Sequence, residues 1–319
     1  MPDIRYTFPK PTHGSQEWLN VRWKDEDGLS RISASVAAAL HGQHPYTSMA
    51  DLAVELLSPE PPTPSETNAA MDRGNRLEPV LVQWFADLEK VEVKTPEEMY
   101  AFESEDGKLR LIATLDGITP DGIPVEIKTS NKMWTGSLPP MWYWQGVHQA
   151  ICVGADRVEW GVFDSNLELH RYTQHVTSDE MQNHMQACRK FLSAIDEGYL
   201  PEDAVLEYKH AEHMYPTSTA ITVDLDPAEA RKWLGQLDSA RILKKEAETL
   251  ENQAKTQLAM MLENADTGTL EGETCITWKT VKRHSLDAKA LEAQHPALVE
   301  KFQKTTEYRM MKTNNKRSK

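Results

Sequence analysis

The stretch that decides the fold is Ala113-Thr114-Leu115-Asp116-Gly117, followed after a short connection by Val125-Glu126-Ile127-Lys128-Thr129. Side chains alternate along a strand, so Glu126 and Lys128 share one face and Ile127 takes the other. Asp116 ends the preceding strand of what reads as a hairpin, which brings it beside Glu126. Two carboxylates and an ammonium then converge. Phosphodiester hydrolysis needs that set. Carboxylate oxygens hold a hard divalent cation, and the cation polarises phosphate and acidifies water. The lysine orients the water and meets developing negative charge. Glu-x-Lys also occurs as a plain surface ion pair and Asp-Gly as a turn, so the flanks matter. Glu126 lies between Val125 and Ile127 in an apolar strand, where a charged face needs a reason. Upstream, Arg73-Gly74-Asn75-Arg76-Leu77-Glu78-Pro79 sets Glu78 beside an apolar helical stripe, off its core face. Downstream, Gln145 and Gln149 stand one helical turn apart.

Working outward, the N-terminal part reads as short helices. Ser15 caps a segment through Val21, and Ser33-Ala34-Ser35 precedes Val36–Leu40 and a stop at Gly42. Leu77, Leu81, Trp84, Phe85 and Leu88 recur at helical spacing. Val91–Lys94, Met99–Ser104, Leu109–Leu115 and Pro124–Thr129 read as strands. Pro140–Val153 reads as a helix, Arg157–Phe163 and Leu167–Val176 as a hairpin turning at Ser165-Asn166, and Ser178–Glu197 as a closing helix. The expectation is an α/β (α+β) fold with a central mixed sheet flanked by helices over residues 1–215.

A second unit is expected over residues 216–319, with a long helix and short strands. Asp226-Pro227-Ala228-Glu229 is a strong helix start. Trp233, Leu237, Ala240, Leu243, Ala247, Leu250, Ala254, Leu258 and Met261 then step by three or four, a seam to be packed on something. A strand over Thr274–Val281 and a helix near His295–Lys304 follow.

Composition narrows the class. The chain has 319 residues, 39% of them hydrophobic, and nine tryptophans, enough for packed domains. No run has the ~18–20 apolar residues of a membrane span. The polar, Pro-rich Met1–Gly14 does not read as a signal peptide, so the expectation is a cytoplasmic protein of a bacterial host or prophage, with no membrane partner. Cys152, Cys188 and Cys275 lie far apart and suggest neither a zinc ribbon nor a disulfide framework. His41 and His44 flank Gly42 and read as loop decoration. Any metal is therefore expected on oxygen ligands, as Mg²⁺ or Mn²⁺. The net charge is −14, which opposes DNA binding at first sight. From Lys279 to Lys319, however, 11 Lys/Arg stand against 4 Asp/Glu. Local positive charge is what phosphate requires. Met141-Trp142-Tyr143-Trp144 reads as core plus an edge rather than as a base-stacking platform.

The order of motifs resembles the lambda exonuclease/YqaJ-type viral recombinase family, within the PD-(D/E)XK nuclease superfamily. The matching residues are Trp18…Arg22, Ile32-Ser33-Ala34-Ser35, Gly74…Leu77-Glu78-Pro79, Leu115-Asp116-Gly117, Val125-Glu126-Ile127-Lys128 and Gln149, within Gly14 to Gly198. The resemblance implies Asp116 and Glu126 as main metal ligands with the Ile127 carbonyl assisting, Glu78 serving a second metal or the water network, Lys128 as catalytic lysine and Gln149 as helper. It implies a 5′-phosphate pocket from Arg22, Ser35 and Thr114. A helix N-terminus at Ser35 suits an anion, although Ser35 also reads as a simple cap. Lys24–Leu29 looks like an insertion, which leaves Arg31 as the alternative to Arg22. By resemblance the protein is a Mg²⁺-dependent 5′→3′ exonuclease, with two ions per site and Mn²⁺ able to substitute. It would digest double-stranded DNA ends to 5′ mononucleotides and a 3′ strand, act as a ring-shaped homotrimer, and pass the strand to a phage-type annealing protein. The alternatives are a restriction-like or structure-specific endonuclease on the same core, or a DNA-binding scaffold with a dead site.

Overall fold

The computed structural model describes residues 3–64, 68–305 and 308–313. The chain divides into two compact units, Met1–Tyr215 and Pro216–Lys319.

The first unit begins with β1 (Ile4–Pro9), in the segment whose Pro-rich composition suggested no strand. Tyr6 and Phe8 alternate inward against Met99, Ala101 and Ile112, and that alternation outweighs the polar neighbours. Helix α1 (Gln16–Trp23) follows, capped by Ser15, whose hydroxyl accepts from the Trp18 amide. After β2 (Ile32–Ser33) comes a 3₁₀ helix, Ala34–His41, stopped by Gly42 at φ 64°. Its cap Ser33 makes no side-chain capping bond. Helix α2 (Met49–Leu57) starts with a Ser48/Asp51 capping box, and α3 (Ala69–Glu89) starts at Asn68. The strands β3 (Glu98–Glu103), β4 (Arg110–Ala113), β5 (Gly117–Ile118) and β6 (Pro124–Thr129) then lead to α4 (Pro140–Val153). The hairpin β7 (Arg157–Phe163) and β8 (Leu169–His175) precedes α5 (Ser178–Asp196) and α6 (Tyr208–Met214). The expected strand Val91–Lys94 is reduced to one bridge, Lys94 to Ile118.

The architecture is mixed α/β with helices on mixed sheets, as the sequence pattern led one to expect. The strands divide between two hydrogen-bonded sheets, ordered β1-β3-β4-β2 and β5-β6-β7-β8. The chain passes from the first to the second through Thr114–Asp116, between β4 and β5. Each sheet contains one parallel pair, β2 with β4 and β6 with β7. Gly117 pairs with Val125, and a Cβ there would collide with Val93. Gly117 is thus needed for close packing and not for a turn. Val125 and Ile127 pack against Leu81, Val82 and Phe85 of α3. The main core gathers Ile32, Leu111, Leu115, Val147, Ile151, Trp160, Phe191 and Leu192. Trp142 stacks on Trp160 and Trp134 within the fold.

The second unit contains α7 (Pro227–Leu262), the hairpin β9 (Thr267–Leu270) and β10 (Glu273–Thr277), and α8 (Ala288–Gln294) and α9 (Pro296–Phe302). Asp226 caps α7 by accepting from Ala228 and Glu229. Of the expected seam, Trp233, Leu243, Leu250 and Met261 are exposed, and Leu262 at the C-terminal end of α7 is buried. The basic residues Lys316, Arg317 and Lys319 lie outside the described residues.

Gly146 allows α4 to lie close on β7 and β8. A Cβ there would meet Trp160 Cζ2 at 2.9 Å and overlap Gln174 Oε1. Gln174 has little room to yield, since it accepts from Trp160 Nε1 at 3.1 Å and donates to the Tyr143 carbonyl at 2.9 Å. Gly146→Ala is therefore expected to lower stability by about 1–3 kcal/mol, read as a lower thermal midpoint. An unchanged midpoint would show that α4 shifts freely.

Candidate active site

The geometry centres on Glu126, which is 3% exposed. Strand β6 presents it on the face opposite Val125 and Ile127, and α4 lies over it. Its Oε1 accepts from Lys128 Nζ at 2.6 Å and from Gln145 Nε2 at 2.5 Å. Its Oε2 accepts from Gln149 Nε2 at 2.6 Å. The two glutamines are one helical turn apart, so one α4 face serves both oxygens. Gln149 also donates to the Thr114 carbonyl at 3.3 Å, which ties α4 to the crossing between the sheets. Gln145 thus bonds Glu126 as closely as Gln149 does, although the family resemblance favoured Gln149 alone.

Asp116 sits at that crossing, with Oδ2 accepting from the Ile127 amide at 2.8 Å. Burial and the charges of Glu126 and Glu78 push its carboxyl well above the usual range, against Lys128 and the Ile127 hydrogen bond. Glu78 on α3 is raised as well, by burial and then by Glu126, with Lys10 and Lys128 opposing. Lys10 is a cation that nothing in the sequence pattern pointed to. Burial lowers the Lys128 ammonium, but Glu126, Asp116 and Glu78 outweigh it and the net shift is upward. Three carboxylates from α3, the crossing and β6 therefore repel one another around the half-buried ammonium of Lys128. Such a set fits a divalent cation on oxygen ligands. The buried Gln149 Oε1, which has no hydrogen-bond partner, is a further acceptor beside them.

A second cluster surrounds Arg22. Its guanidinium lies 4.0 Å from the Trp18 ring and donates to Ser33 Oγ at 2.6 Å and Ser35 Oγ at 2.5 Å. Burial lowers its pKa to about 10, with Glu55 opposing, so it stays charged at neutral pH. Arg31 instead reaches the Val21 carbonyl and Tyr6 Oη, at 3.4 and 3.5 Å. Both arginines line one cavity of about 200 Å³ with Ser33, Trp23 and Glu55. Because β2 runs parallel to β4 with Ser33 opposite Ile112, the Ser33–Ser35 segment and Thr114 both leave the sheet at the C-terminal ends of these strands. Ser33, part of the matched motif but not of the expected phosphate pocket, shares Arg22 with Ser35.

Residues 17–156 match the YqaJ-like viral recombinase domain family. The match spans less than half of the chain, and over it the chain is similar to a viral recombinase domain. No curated protein matches the chain. Among solved structures, an alkaline exonuclease from Laribacter hongkongensis is 19% identical, over 57% of this chain and 93% of that one, with a TM-score of 0.43. A phage related exonuclease from Haemophilus somnus 129PT is 12% identical, over 53% and 96%, with a TM-score of 0.39. No helix among the described residues is long and apolar enough to cross a membrane.

The raised Asp116 carboxyl has a sign. An acid whose folded pKa exceeds its unfolded value supports the fold fully only below the unfolded pKa, and that support is lost as pH rises through the folded pKa. With chelator present, Asp116→Asn should therefore raise the thermal midpoint at neutral pH by a few degrees. The gain should vanish near pH 3, where the wild-type carboxyl is protonated in both states. A midpoint that falls at neutral pH would mean that the charged carboxylate is stabilising.

Proposed function

We propose that the protein is a Mg²⁺-dependent exonuclease that digests linear double-stranded DNA 5′→3′, releasing 5′ mononucleotides and leaving a 3′ strand for recombination by annealing. The observation that carries the reading is the convergence of Asp116, Glu126 and Glu78 on the half-buried ammonium of Lys128, with Glu126 held by Gln145 and Gln149. Asp116, Glu126, the Ile127 carbonyl and Glu78 would hold Mg²⁺, two ions fitting three carboxylates, with Mn²⁺ as a substitute. When bound, the cation supplies Lewis-acid polarisation of the phosphate and acidifies water.

The chain's own residues do the rest. Gln145 and Gln149 fix the carboxylate plane of Glu126, and the Ile127 amide fixes Asp116, so these oxygens need no reorganisation as charge develops. Lys128 stays protonated and donates to the negative charge of the attacked phosphate. The Arg22 cluster would hold the 5′ end: a guanidinium with two hydroxyls, on the segment that follows β2 beside the exit of β4 toward Asp116, suits a terminal phosphate. Arg22 suits this role better than Arg31, because only Arg22 bonds Ser35; Thr114 would join them from the residue that follows β4.

A linear duplex labelled at either end, with and without a 5′-phosphate, tests this in Mg²⁺ or chelator. Glu126→Gln and Lys128→Ala are each expected to lose cleavage by orders of magnitude while retaining DNA binding. Arg22→Ala should erase a preference for the phosphorylated end. Near-normal cleavage by either active-site variant would sink the assignment, and cutting of closed circular duplex would favour the endonuclease reading.

The family resemblance further suggests a homotrimeric ring that hands its product to an annealing protein. Enclosure lets an acidic chain hold a polyanion, since positive groups need only line the channel. Light scattering at micromolar concentration should give three times the chain mass; a monomer would remove the ring.

A further inference from the structure

A second set of ligand-type atoms lies between α4 and α5, apart from the carboxylates. His148 projects from α4, and His184 and Cys188 from α5, all three buried. His184 Nε2 is 3.0 Å from His148 Nδ1 and 3.4 Å from Cys188 Sγ. One donor atom from each falls within 4.8 Å of the others. Tetrahedral zinc, with bonds of about 2.0–2.1 Å to nitrogen and about 2.3 Å to sulfur, sets its donors roughly 3.3–3.7 Å apart. The three side chains already stand close to that spacing.

The sequence repeats the pattern. His148-Gln149-Ala150-Ile151-Cys152 on α4 and His184-Met185-Gln186-Ala187-Cys188 on α5 place a histidine and a cysteine four residues apart on each of two packed helices. Four residues is one turn, so each pair shares a face. Cys152 is buried in the same core cluster as Cys188. Its sulfur is not among the three donor atoms that stand within 4.8 Å of one another, so Cys152 would complete the two-histidine, two-cysteine set of a closed zinc site by moving closer.

The plain alternative is a chain of core histidines that satisfy one another, since His41 Nε2 lies 2.9 Å from His184 Nδ1. That chain gives the buried Cys152 thiol no role. The same contacts suit a metal site. With His184 Nε2 as ligand, its Nδ1–H donates to His41 Nε2, and His41 is fixed by stacking on Trp144 at 3.5 Å and 6°. An outer partner of this kind orients a ligating imidazole. Burial holds His148 down to about 3 and His184 well below its ordinary value, so both rings are neutral and their lone pairs available. Burial also keeps the Cys188 thiol protonated. Uptake of a divalent cation would release thiol protons to solvent, with no change of oxidation state.

We infer that His148, His184, Cys188 and Cys152 form a buried structural site for a zinc-like divalent cation, which clamps α4 to α5. The site is separate from the oxygen-donor cluster and does not depend on the nuclease reading. Helix α4 also carries Gln145 and Gln149, so the clamp would fix the helix that holds Glu126.

The full chain, untagged and produced with zinc in the medium, is dialysed against metal-free buffer and its metal content measured by mass spectrometry. About one zinc per chain is expected, unchanged in Glu126→Gln and lost in Cys188→Ser, with weaker retention in Cys152→Ser. Cobalt in place of zinc should give a thiolate-to-metal charge-transfer band and the intense visible bands of tetrahedral coordination. Because Cys188→Ser sits in a packed core, the wild-type chain is also melted after zinc removal and after zinc return, and zinc should raise the midpoint. A wild-type chain that holds no zinc, shows no cobalt charge transfer and melts identically with and without zinc overturns the inference. So does zinc retained in full by Cys188→Ser, or lost in Glu126→Gln.

Discussion

The structure depends on keeping one charged carboxylate, Glu126, out of water. A buried carboxylate is costly unless it is paired and hydrogen-bonded. Glu126 meets that condition with three donors, one from its own strand and two from a single helix. Much of the surrounding architecture follows from it. Helix α4 must lie within hydrogen-bond reach of β6, and it does so because Gly146 presents no Cβ to Trp160 and Gln174. Gln174 in turn bridges Trp160 and the Tyr143 carbonyl, so the approach of α4 is fixed by a bonded side chain. The other face of β6 is apolar and covered by α3, whose Glu78 then comes near enough for Glu126 to raise its pKa.

The carboxylates do not stabilise one another. Asp116 and Glu78 are pushed toward their neutral forms by burial and by Glu126. One ammonium and the backbone amide of Ile127 offset part of that repulsion. The remainder is borne by the apolar core around Ile32, Leu111, Leu115 and Trp160, a common division between a strained site and a scaffold that holds it. The Arg22 cluster follows the opposite logic. Its cation is placed against an aromatic ring and two hydroxyls, and burial lowers its pKa without discharging it. A cation partly stripped of water and furnished with neighbouring hydroxyls is well prepared for an anion. Negative charge elsewhere on the chain does not oppose this, because screening confines exposed charges to about 10 Å or less at physiological salt.

Helix α4 joins the main features. Gln145 and Gln149 reach Glu126, Trp144 stacks on His41, and His148 meets His184. His41 was read from sequence as loop decoration beside Gly42. In the fold it ends the 3₁₀ helix and contacts two aromatic rings. No local signal marked it, because its partners lie more than 100 residues away in the chain.

Alternation in Val125–Thr129 was sufficient to put Glu126 and Lys128 on one face, since the strand period is a property of the backbone. The caps Ser15, Asn68, Thr177 and Asp226, the Gly42 stop and the β7–β8 hairpin are likewise local chemistry, and most were legible from the sequence. What the sequence left open was long-range. Whether Ser33 and Ser35 cap a helix or serve Arg22, whether Gly117 makes a turn or a close contact, and how the strands divide between two sheets all depend on partners distant in sequence. The seam of α7 shows the same limit: its 3.5-residue period fixed a helix with an apolar stripe, but periodicity does not specify what that stripe packs on. The paired His-x-x-x-Cys spacing was present in the sequence throughout. It acquires meaning only when the packing of α4 on α5 brings His148 to His184, because ligand geometry is set by distances across helices and not along them.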